Sequence, residues 1–382
     1  MPTPYRSCWA TDEHELFRDT VRDFVARELL PHEERFIAQG HIDPEVWTRA
    51  GAAGLLGCDI PAEHGGLGGD FGHECVVYEE VWRTGFSGFG KAVHEIAAHY
   101  VLDYATPEQQ ARWLPQMVAG ELVGAIAMSE PGAGSDLRGI ATSAVRDGDD
   151  YVVNGSKTFI TNGYSADLIV VAARTAPEKK ARGISLFGIE ASMDGFSRGR
   201  KLDKAGQDES DTAELFFEDV RVPADNLIGE LDSGFIHMMN WLPQERLGSA
   251  ITNISHAAQI LEETLDYIKE RKAFGQAVGS FQHNKFLAAE LVTKVEMVQT
   301  YVDQAVLQHV DGKLTPIDAA KVKWISADVQ NDVLDNCVQL YGGYGYMNEY
   351  RVTRAWRDAR VTKIWAGSNE IMKELIGRDL GL

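Results

Sequence analysis

The order in which helical and strand-like periodicity succeed one another constrains this chain more than any other feature. Apolar residues follow helical spacing from residue 11 to about 120, strand-like spacing from about 123 to 228, and helical spacing again from about 234. No helical repeats separate the strand-like runs, so the pattern favours an antiparallel sandwich or small barrel over a parallel βαβ sheet. Long helical runs with short links at the end of the chain predict an antiparallel bundle.

The sequence predicts where several helices begin and end. One apolar face begins at Leu16 and continues to Val25, and Pro31 ends the run. Residues 106–109 read Thr-Pro-Glu-Gln, a hydroxyl N-cap with proline at the first helical position and glutamine at the third. Apolar residues spaced three or four apart occupy 287–310, and Thr315-Pro316 predicts the start of the next helix.

The middle of the chain holds short β-prone runs bounded by turn formers. These runs cover residues 151–153, 167–172, 184–189 and 214–217. Asparagine–glycine and aspartate–glycine pairs lie between them, and such pairs favour tight turns. The sequence therefore predicts strands linked by hairpins in this region.

Charge and composition exclude some classes of function. The chain has 37 Lys and Arg against 57 Asp and Glu, a formal charge of −20, which argues against sequence-independent nucleic-acid binding. No run approaches the roughly 18 apolar residues of a membrane span. The N-terminal residues resemble neither a signal peptide nor an acid-poor transit peptide, so we expect a cytoplasmic location. Four widely spaced cysteines predict buried free thiols, with no metal cage.

Residues 128–136, Met-Ser-Glu-Pro-Gly-Ala-Gly-Ser-Asp, form the most unusual run. Small residues permit close backbone approach, and hydroxyls and amides could bind a polar ligand. A tight loop entering a sheet explains the same residues. The run lacks the Gly-Lys-Ser/Thr of a phosphate-binding loop and the glycine spacing of a dinucleotide fold.

Four other segments each allow a structural and a functional interpretation. Residues 157–163 fit a strand that ends in a turn, or a surface facing a planar ligand. Residues 271–276 fit a helix C-terminus favouring cations, or an arginine that binds pyrophosphate. Residues 339–346 interleave glycines and tyrosines beyond the needs of one helix cap. Residues 243–246, Pro-Gln-Glu-Arg, look like a restarting helix, and only context can make Glu245 a catalytic base.

Together these segments resemble the acyl-CoA dehydrogenase family over nearly the whole chain. The runs at 128–136, 157–163, 271–275 and 339–346, followed by RDARVTKIWAGSNEIMKELI at 357–376, make five motifs, and five in this order are highly specific. LPQERL at 242–247 gives a narrower resemblance to the long-chain branch. The resemblance implies an α+β fold with an N-terminal helical domain at 1–122, a central antiparallel β-barrel domain at 123–230 and a C-terminal four-helix bundle at 231–382.

The resemblance also implies the roles of individual residues. FAD contacts, some made across a subunit interface, are expected from Met128, Ser129, Phe159, Ile160, Thr161, Arg271, Phe274, Gln282, Gln339, Gly342, Gly343, Ser368 and Glu370. Substrate contacts are expected from Ser135, Arg246 and Gly367. Residues 87–94 would line the far end of the acyl pocket, where Gly88 and Gly90 would leave room and Phe89 and His94 could fill it.

One departure from the family pattern decides the predicted base. Many members carry a catalytic glutamate at the position where this chain has Ala366, and an alanine side chain cannot accept a proton. The long-chain and isovaleryl branches place it just before a helix arginine, as Glu245 stands before Arg246. An acyl chain that desolvates this carboxylate would raise its pKa and strengthen it as a base.

The resemblance predicts an FAD-dependent enzyme of fatty acid β-oxidation that introduces an α,β double bond into an acyl-CoA. Glu245 would take the α-proton, the flavin would take the β-hydride, and electrons would pass to an electron-transfer flavoprotein. We expect a homotetramer. An oxygen-using relative, such as an oxidase or monooxygenase, and a catalytically silent subunit are the alternatives.

Overall fold

The computed structural model describes residues 6–382. Its α-helices are α1 Asp12–Phe24, α2 Glu33–Gln39, α3 Pro44–Ala52, α4 Phe71–Arg83, α5 Lys91–Tyr104, α6 Pro107–Val118, α7 Gly234–Glu270, α8 Gln282–Val310, α9 Pro316–Tyr341, α10 Arg351–Ala359 and α11 Asn369–Asp379. Its strands are β1 Gly124–Ala127, β2 Ser143–Asp147, β3 Asp150–Thr161, β4 Leu168–Arg174, β5 Ile184–Glu190, β6 Phe196–Lys201, β7 Thr212–Pro223, β8 Leu227–Ile228, β9 Lys272–Ala273 and β10 Gln276–Ala277.

The predicted caps at α6 and α9 are confirmed. Thr106 Oγ1 accepts from the Gln109 amide at 3.3 Å, and Gln109 Oε1 accepts from the Thr106 amide at 2.7 Å. Thr315 accepts from the Asp318 amide at 3.1 Å. Each bond satisfies a donor that the first helical turn would otherwise leave unpaired. The apolar face predicted for α1 is only partly right, because Leu16 is exposed while Val21 is buried.

The helix restart predicted at Pro243 is wrong. Pro243 lies inside α7, which runs from Gly234 to Glu270 without a new start. A proline inside a helix removes one backbone hydrogen bond. Helix α7 packs against α4, α8 and α9, and its face from Arg246 to Ile268 is largely buried. Tertiary packing therefore stabilises the helix through the proline, and Glu245 lies in the helix interior.

The sheet does not close into the predicted barrel. Its strand order is β6-β7-β3-β2-β4-β5-β8, with β1 added beside β4 in parallel. Strands β2 and β4 pair only at Ser143 and Arg174, also in parallel, so the sheet is not purely antiparallel. This weak join lets the two halves face each other around an apolar core, in which the rings of Tyr151 and Phe187 lie 4.9 Å apart. The arrangement is closer to the sandwich that the strand pattern also allowed.

The C-terminal region is helical, as predicted. Helices α7, α8 and α9 pack against one another, and α10 and α11 pack on α9. Cys58, Cys75 and Cys337 are buried free thiols, whereas Cys8 is exposed, contrary to the prediction. Within the described residues 6–382, no helix combines the length and hydropathy that a membrane crossing requires.

Candidate functional site

Helix α7 brings Glu245 and Arg246 beside a tight turn that precedes α11. Arg246 Nε lies 3.5 Å from the carbonyl oxygen of Ala366. Lys323, from the buried side of α9, donates to the carbonyl oxygen of Gly367 at 2.6 Å. The predicted base and two of the three predicted substrate residues, Arg246 and Gly367, are therefore neighbours in the structure.

The turn itself has an unusual backbone. Ala366 has φ +52° and Gly367 has φ +86°, so two successive residues adopt left-handed conformations. This conformation costs a non-glycine residue about 1–2 kcal/mol, and it persists where the surroundings fix it. A Cβ at Gly367 would lie 2.6 Å from Met372 Cε, the end of a flexible side chain, so the left-handed backbone is the stronger reason for glycine at this position.

The electrostatics around Glu245 are those of a poised base. Burial raises its pKa above the usual range, and the cations Arg246 and Lys323 oppose that rise. Burial and the neighbouring Arg246 charge lower the pKa of Lys323 to about 8, against an upward pull from Glu245. Tyr100 on α5 is buried, its hydroxyl has no hydrogen-bond partner within residues 6–382, and its pKa is raised by burial and by Glu245. A carboxylate in this setting can accept a proton from a weak carbon acid.

A second group lies at the end of β3 in the central domain. Lys157 Nζ donates to the Met128 carbonyl oxygen at 3.1 Å and to Glu130 Oε1 at 2.8 Å. The Thr158 amide donates to the Ser129 carbonyl oxygen at 3.0 Å. Burial lowers the pKa of Lys157 to about 8, while Glu130 pulls it upward. These bonds fix the 128–130 loop against β3.

The three predicted cofactor residues at the end of β3 differ in exposure. Phe159 is 71% exposed and has φ +61°. Ile160 is buried in the sheet core, so only its backbone could meet a ligand, and Thr161 is half-buried. An exposed aromatic held in a strained backbone suits a surface covered by a planar ligand.

A third group forms a groove between the end of α7 and the end of α9. The groove has a volume of about 460 Å³ and is lined by Tyr267, Arg271, Val278, Gln339, Leu340, Tyr341, Gly342, Gly343, Tyr344 and Met347. The rings of Tyr267 and Tyr341 stack at 4.1 Å. Arg271 lies over the Tyr344 ring at 5.5 Å, and its guanidinium forms no ion pair within residues 6–382. Predicted cofactor residues from two distant segments thus share one groove.

The groove has the features that a dinucleotide pyrophosphate requires. A Cβ placed on Gly342 or Gly343 would meet no atom within 4 Å, so the backbone there is open to a ligand. An arginine with no carboxylate partner can pair with phosphate, and planar rings can stack on a nucleobase. The residues therefore fit FAD. Within the described residues, no hydrogen bond joins this groove to the loop at Met128.

The remaining predicted residues lie at the margins of these groups. Phe274 is 97% exposed on the β9–β10 hairpin, and Gln282 is exposed at the first position of α8. Ser368 caps α11 by accepting from the Ile371 amide at 3.3 Å, and Glu370 is exposed in its first turn. Ser135 is exposed in the loop after Glu130.

The two glycines expected to widen the acyl pocket do not do so. A Cβ at Gly88 would lie 2.0 Å from Glu209 Cγ, and one at Gly90 would lie 1.9 Å from Asn162 Oδ1. Both glycines allow neighbouring side chains to approach the backbone, so the space that they free is already filled.

Sequence reasoning missed Lys323 and the supporting role of Lys157. Lys323 is fully buried between Ala319, Ala320 and Ala327 on one face of α9. A lysine at helical spacing among small apolar residues is the signal that could have identified it, because lysine is almost never fully buried unless it is paired. Asn369, whose Oδ1 accepts from Lys323 Nζ at 3.3 Å, was also missed.

Comparison with known proteins gives consistent matches. Models of the acyl-CoA dehydrogenase N-terminal, middle and C-terminal domains match residues 11–121, 125–220 and 232–381. The chain is 47% identical over 373 residues to the mitochondrial long-chain specific acyl-CoA dehydrogenase of Mus musculus, covering 97% of this chain and 87% of that one. A solved acyl-CoA dehydrogenase from Geobacillus kaustophilus superposes with a TM-score of 0.97 at 44% identity, covering 99% and 100% of the two chains.

A third relative was solved with its cofactor. An acyl-CoA dehydrogenase from Bacillus anthracis complexed with FAD superposes with a TM-score of 0.92 at 29% identity. The match covers 99% of this chain and 68% of that one.

Proposed function

This chain belongs to the acyl-CoA dehydrogenase family, and on that premise we propose that it uses FAD to oxidise an acyl-CoA to the α,β-unsaturated thioester, with Glu245 as the base. One observation carries the assignment of the base. Glu245 lies beside Arg246 and the Ala366–Gly367 turn, in surroundings that raise its pKa. Ala366, the alternative position for a family base, has no acidic group.

The chain's residues would perform three tasks during the reaction. Glu245 accepts the α-proton of the thioester, which is only weakly acidic, while the helix and the turn hold it in a fixed position. Arg246 and Lys323 oppose the rise in its pKa, which favours the ionised carboxylate that can accept a proton. The buried face of α7 and the packed turn exclude water. When bound, FAD supplies a planar hydride acceptor.

We propose that the cofactor is held by two chains together. The loop at Met128 and Ser129, with Phe159, would face the flavin ring, and the Arg271 groove would hold the pyrophosphate of a cofactor bound mainly to a neighbouring subunit. The 97% exposure of Phe274 supports this arrangement, since a large apolar side chain in water favours burial against a partner. In a homotetramer, the flavin-ring surface of one chain and the Arg271 groove of a neighbouring chain would together form each complete FAD site.

Substrate length, pathway, partner and location stay proposals. The relative in Mus musculus is named for long chains, which favours C12–C16 straight or methyl-branched substrates in β-oxidation. We propose an electron-transfer flavoprotein as the acceptor, as the family resemblance implies. Since that relative is mitochondrial, a cytoplasmic location stays a prediction.

Anaerobic bleaching of the bound flavin tests the proposed reaction. The purified holoprotein is mixed without oxygen with butyryl-, octanoyl-, dodecanoyl- or palmitoyl-CoA, and the absorbance of the oxidised flavin is followed. Loss of the yellow colour with at least one thioester is expected. A flavin that no acyl-CoA bleaches would contradict the proposal and favour a silent subunit. Rapid return of the colour on admitting air would favour an oxygen-using enzyme.

A further inference from the structure

Lys323 is a fully buried lysine whose ammonium reaches the segment beside Glu245. Its ammonium donates to the Gly367 carbonyl oxygen at 2.6 Å and to Asn369 Oδ1 at 3.3 Å. Both acceptors lie in the segment between the left-handed residue Ala366 and the start of α11. A buried charge requires compensation, and these two bonds together with a nearby carboxylate provide it.

We propose that Lys323 is a positioning residue for the reaction, which fixes the Ala366–Gly367 turn beside Glu245 and Arg246 and adds a positive charge to the surroundings of the Glu245 carboxylate. The proposal rests on the proposed function, because it assumes that Glu245 is the base. Lys323 touches neither the carboxylate nor a reacting atom through any hydrogen bond within residues 6–382, so its effect is exerted through the turn and through its charge.

The charged groups around the pair determine the direction of the effect. Arg246 faces Glu245 from α7 and Lys323 faces it from α9, while Tyr100 approaches from α5. Glu370, in the first turn of α11, is a further charge that acts on Lys323 and raises its pKa. Both cations lower the pKa of Glu245, against the rise caused by burial. Loss of either cation therefore leaves the carboxylate more easily protonated.

Two substitutions separate the charge from the hydrogen bond. Lys323→Gln removes the charge but can still donate to the Gly367 carbonyl oxygen, and Lys323→Met removes both. Lys321→Met is the matched control on the same helix, because Lys321 is partly exposed and pairs with Asp318 in the same helical turn. Each holoenzyme is mixed anaerobically with the acyl-CoA that bleaches the parent flavin fastest, and the bleaching rate is measured from pH 5 to 10.

Removing the positive charge should shift the acidic limb of the rate profile to higher pH. For a nearby buried charge we expect the midpoint to move by about one pH unit or more. At a pH below both midpoints, this shift corresponds to a rate about tenfold lower than that of the parent. Lys323→Gln should approach the parent rate at high pH, whereas Lys323→Met should stay slower there because the turn loses its donor. Lys321→Met should keep the parent profile.

Midpoints within about 0.2 unit of the parent in Lys323→Gln would overturn the proposal, and so would lowered thermal stability with an unshifted profile. If Lys323→Met fails to fold, Lys323→Gln decides the question alone. Glu245→Gln measured in parallel separates the two hypotheses. If Glu245→Gln bleaches the flavin like the parent, Glu245 is not the base. If Glu245→Gln is inactive but the Lys323→Gln profile is unshifted, only the proposed role of Lys323 is refuted.

Discussion

Replacing Glu245 by glutamine should abolish dehydrogenation while leaving the fold and the cofactor in place. Glutamine matches glutamate in size but accepts no proton at physiological pH. Loss of a positioned general base typically reduces a rate by about 100- to 10,000-fold, equivalent to about 2.7–5.5 kcal/mol of activation free energy. Glu245 is half-buried inside α7, far from either helix end, so the substitution disturbs no cap.

The same substitution should slightly raise the free energy of unfolding at neutral pH. Because burial raises the pKa of Glu245, its ionised form is less favourable in the folded chain than in the unfolded chain. Such a group stabilises the fold fully at a pH below its pKa in the unfolded chain. This contribution is lost as the pH rises through its higher pKa in the folded chain. Glutamine stays neutral throughout this window, so it removes that decline.

Three measurements check these expectations. Flavin absorbance gives the cofactor content, anaerobic bleaching by an acyl-CoA gives the rate, and thermal unfolding at pH 5 and 8 gives the stability. Glu262→Gln is the matched control, since Glu262 is exposed on the same helix about 25 Å further along. A Glu245→Gln enzyme that bleaches at more than about a tenth of the parent rate would refute the assignment of the base.

A companion variant adds Ala366→Glu to Glu245→Gln and places a carboxylate at the family's other position. Ala366 has φ +52°, a left-handed backbone that a glutamate adopts at a cost of about 1–2 kcal/mol. Partial recovery of bleaching would show that the turn can present a base. Absence of recovery would leave the assignment of Glu245 unchanged, because the packed turn can prevent the new carboxylate from reaching the substrate.

Three further results are expected. Light scattering of the holoprotein should give four times the 42.2 kDa chain, and a monomer with full FAD content would contradict the shared cofactor site. Lys157→Met should cost about 3–5 kcal/mol of unfolding free energy in chemical denaturation and lower FAD content, because the buried Glu130 loses its cation and keeps only backbone donors such as the Ala141 amide. Glu130→Gln in the same chain should recover part of both. Gly88→Ala should lower the free energy of unfolding by about 1–3 kcal/mol in the same assay, because the new Cβ meets Glu209. If the variant instead keeps its stability and changes its selectivity between butyryl- and palmitoyl-CoA, Gly88 does line the acyl pocket.

Local signals in the sequence determined much of the fold. The caps at Thr106 and Thr315 depend on residues within one helical turn, and both are present. The strand positions of β3, β4, β5 and β7 were also indicated, because alternating and β-branched runs reflect a half-buried surface wherever they lie. Family motifs supplied the candidate site residues, since their order along the chain is specific even where each motif is weak.

Long-range packing decided the features that the sequence misjudged. Pro243 predicts a helix start by its local chemistry, but contacts of α7 with α4 and α9 keep the helix continuous through it. Closure of the sheet depends on whether strands far apart in sequence meet. Ser143 and Arg174 provide the only residue pair between β2 and β4, a fact that no local pattern encodes.

The chemistry of the site shows the same division. The sequence by itself placed a carboxylate at Glu245 and removed one at Ala366, and it gathered glycines and aromatics suited to a flavin. Only the tertiary structure brought Lys323 to the Gly367 carbonyl oxygen from 44 residues away, and filled the space beside Gly88 with Glu209. A side chain's identity is fixed by its codon, but its pKa and its neighbours depend on burial and distance, which exist only after the chain has folded.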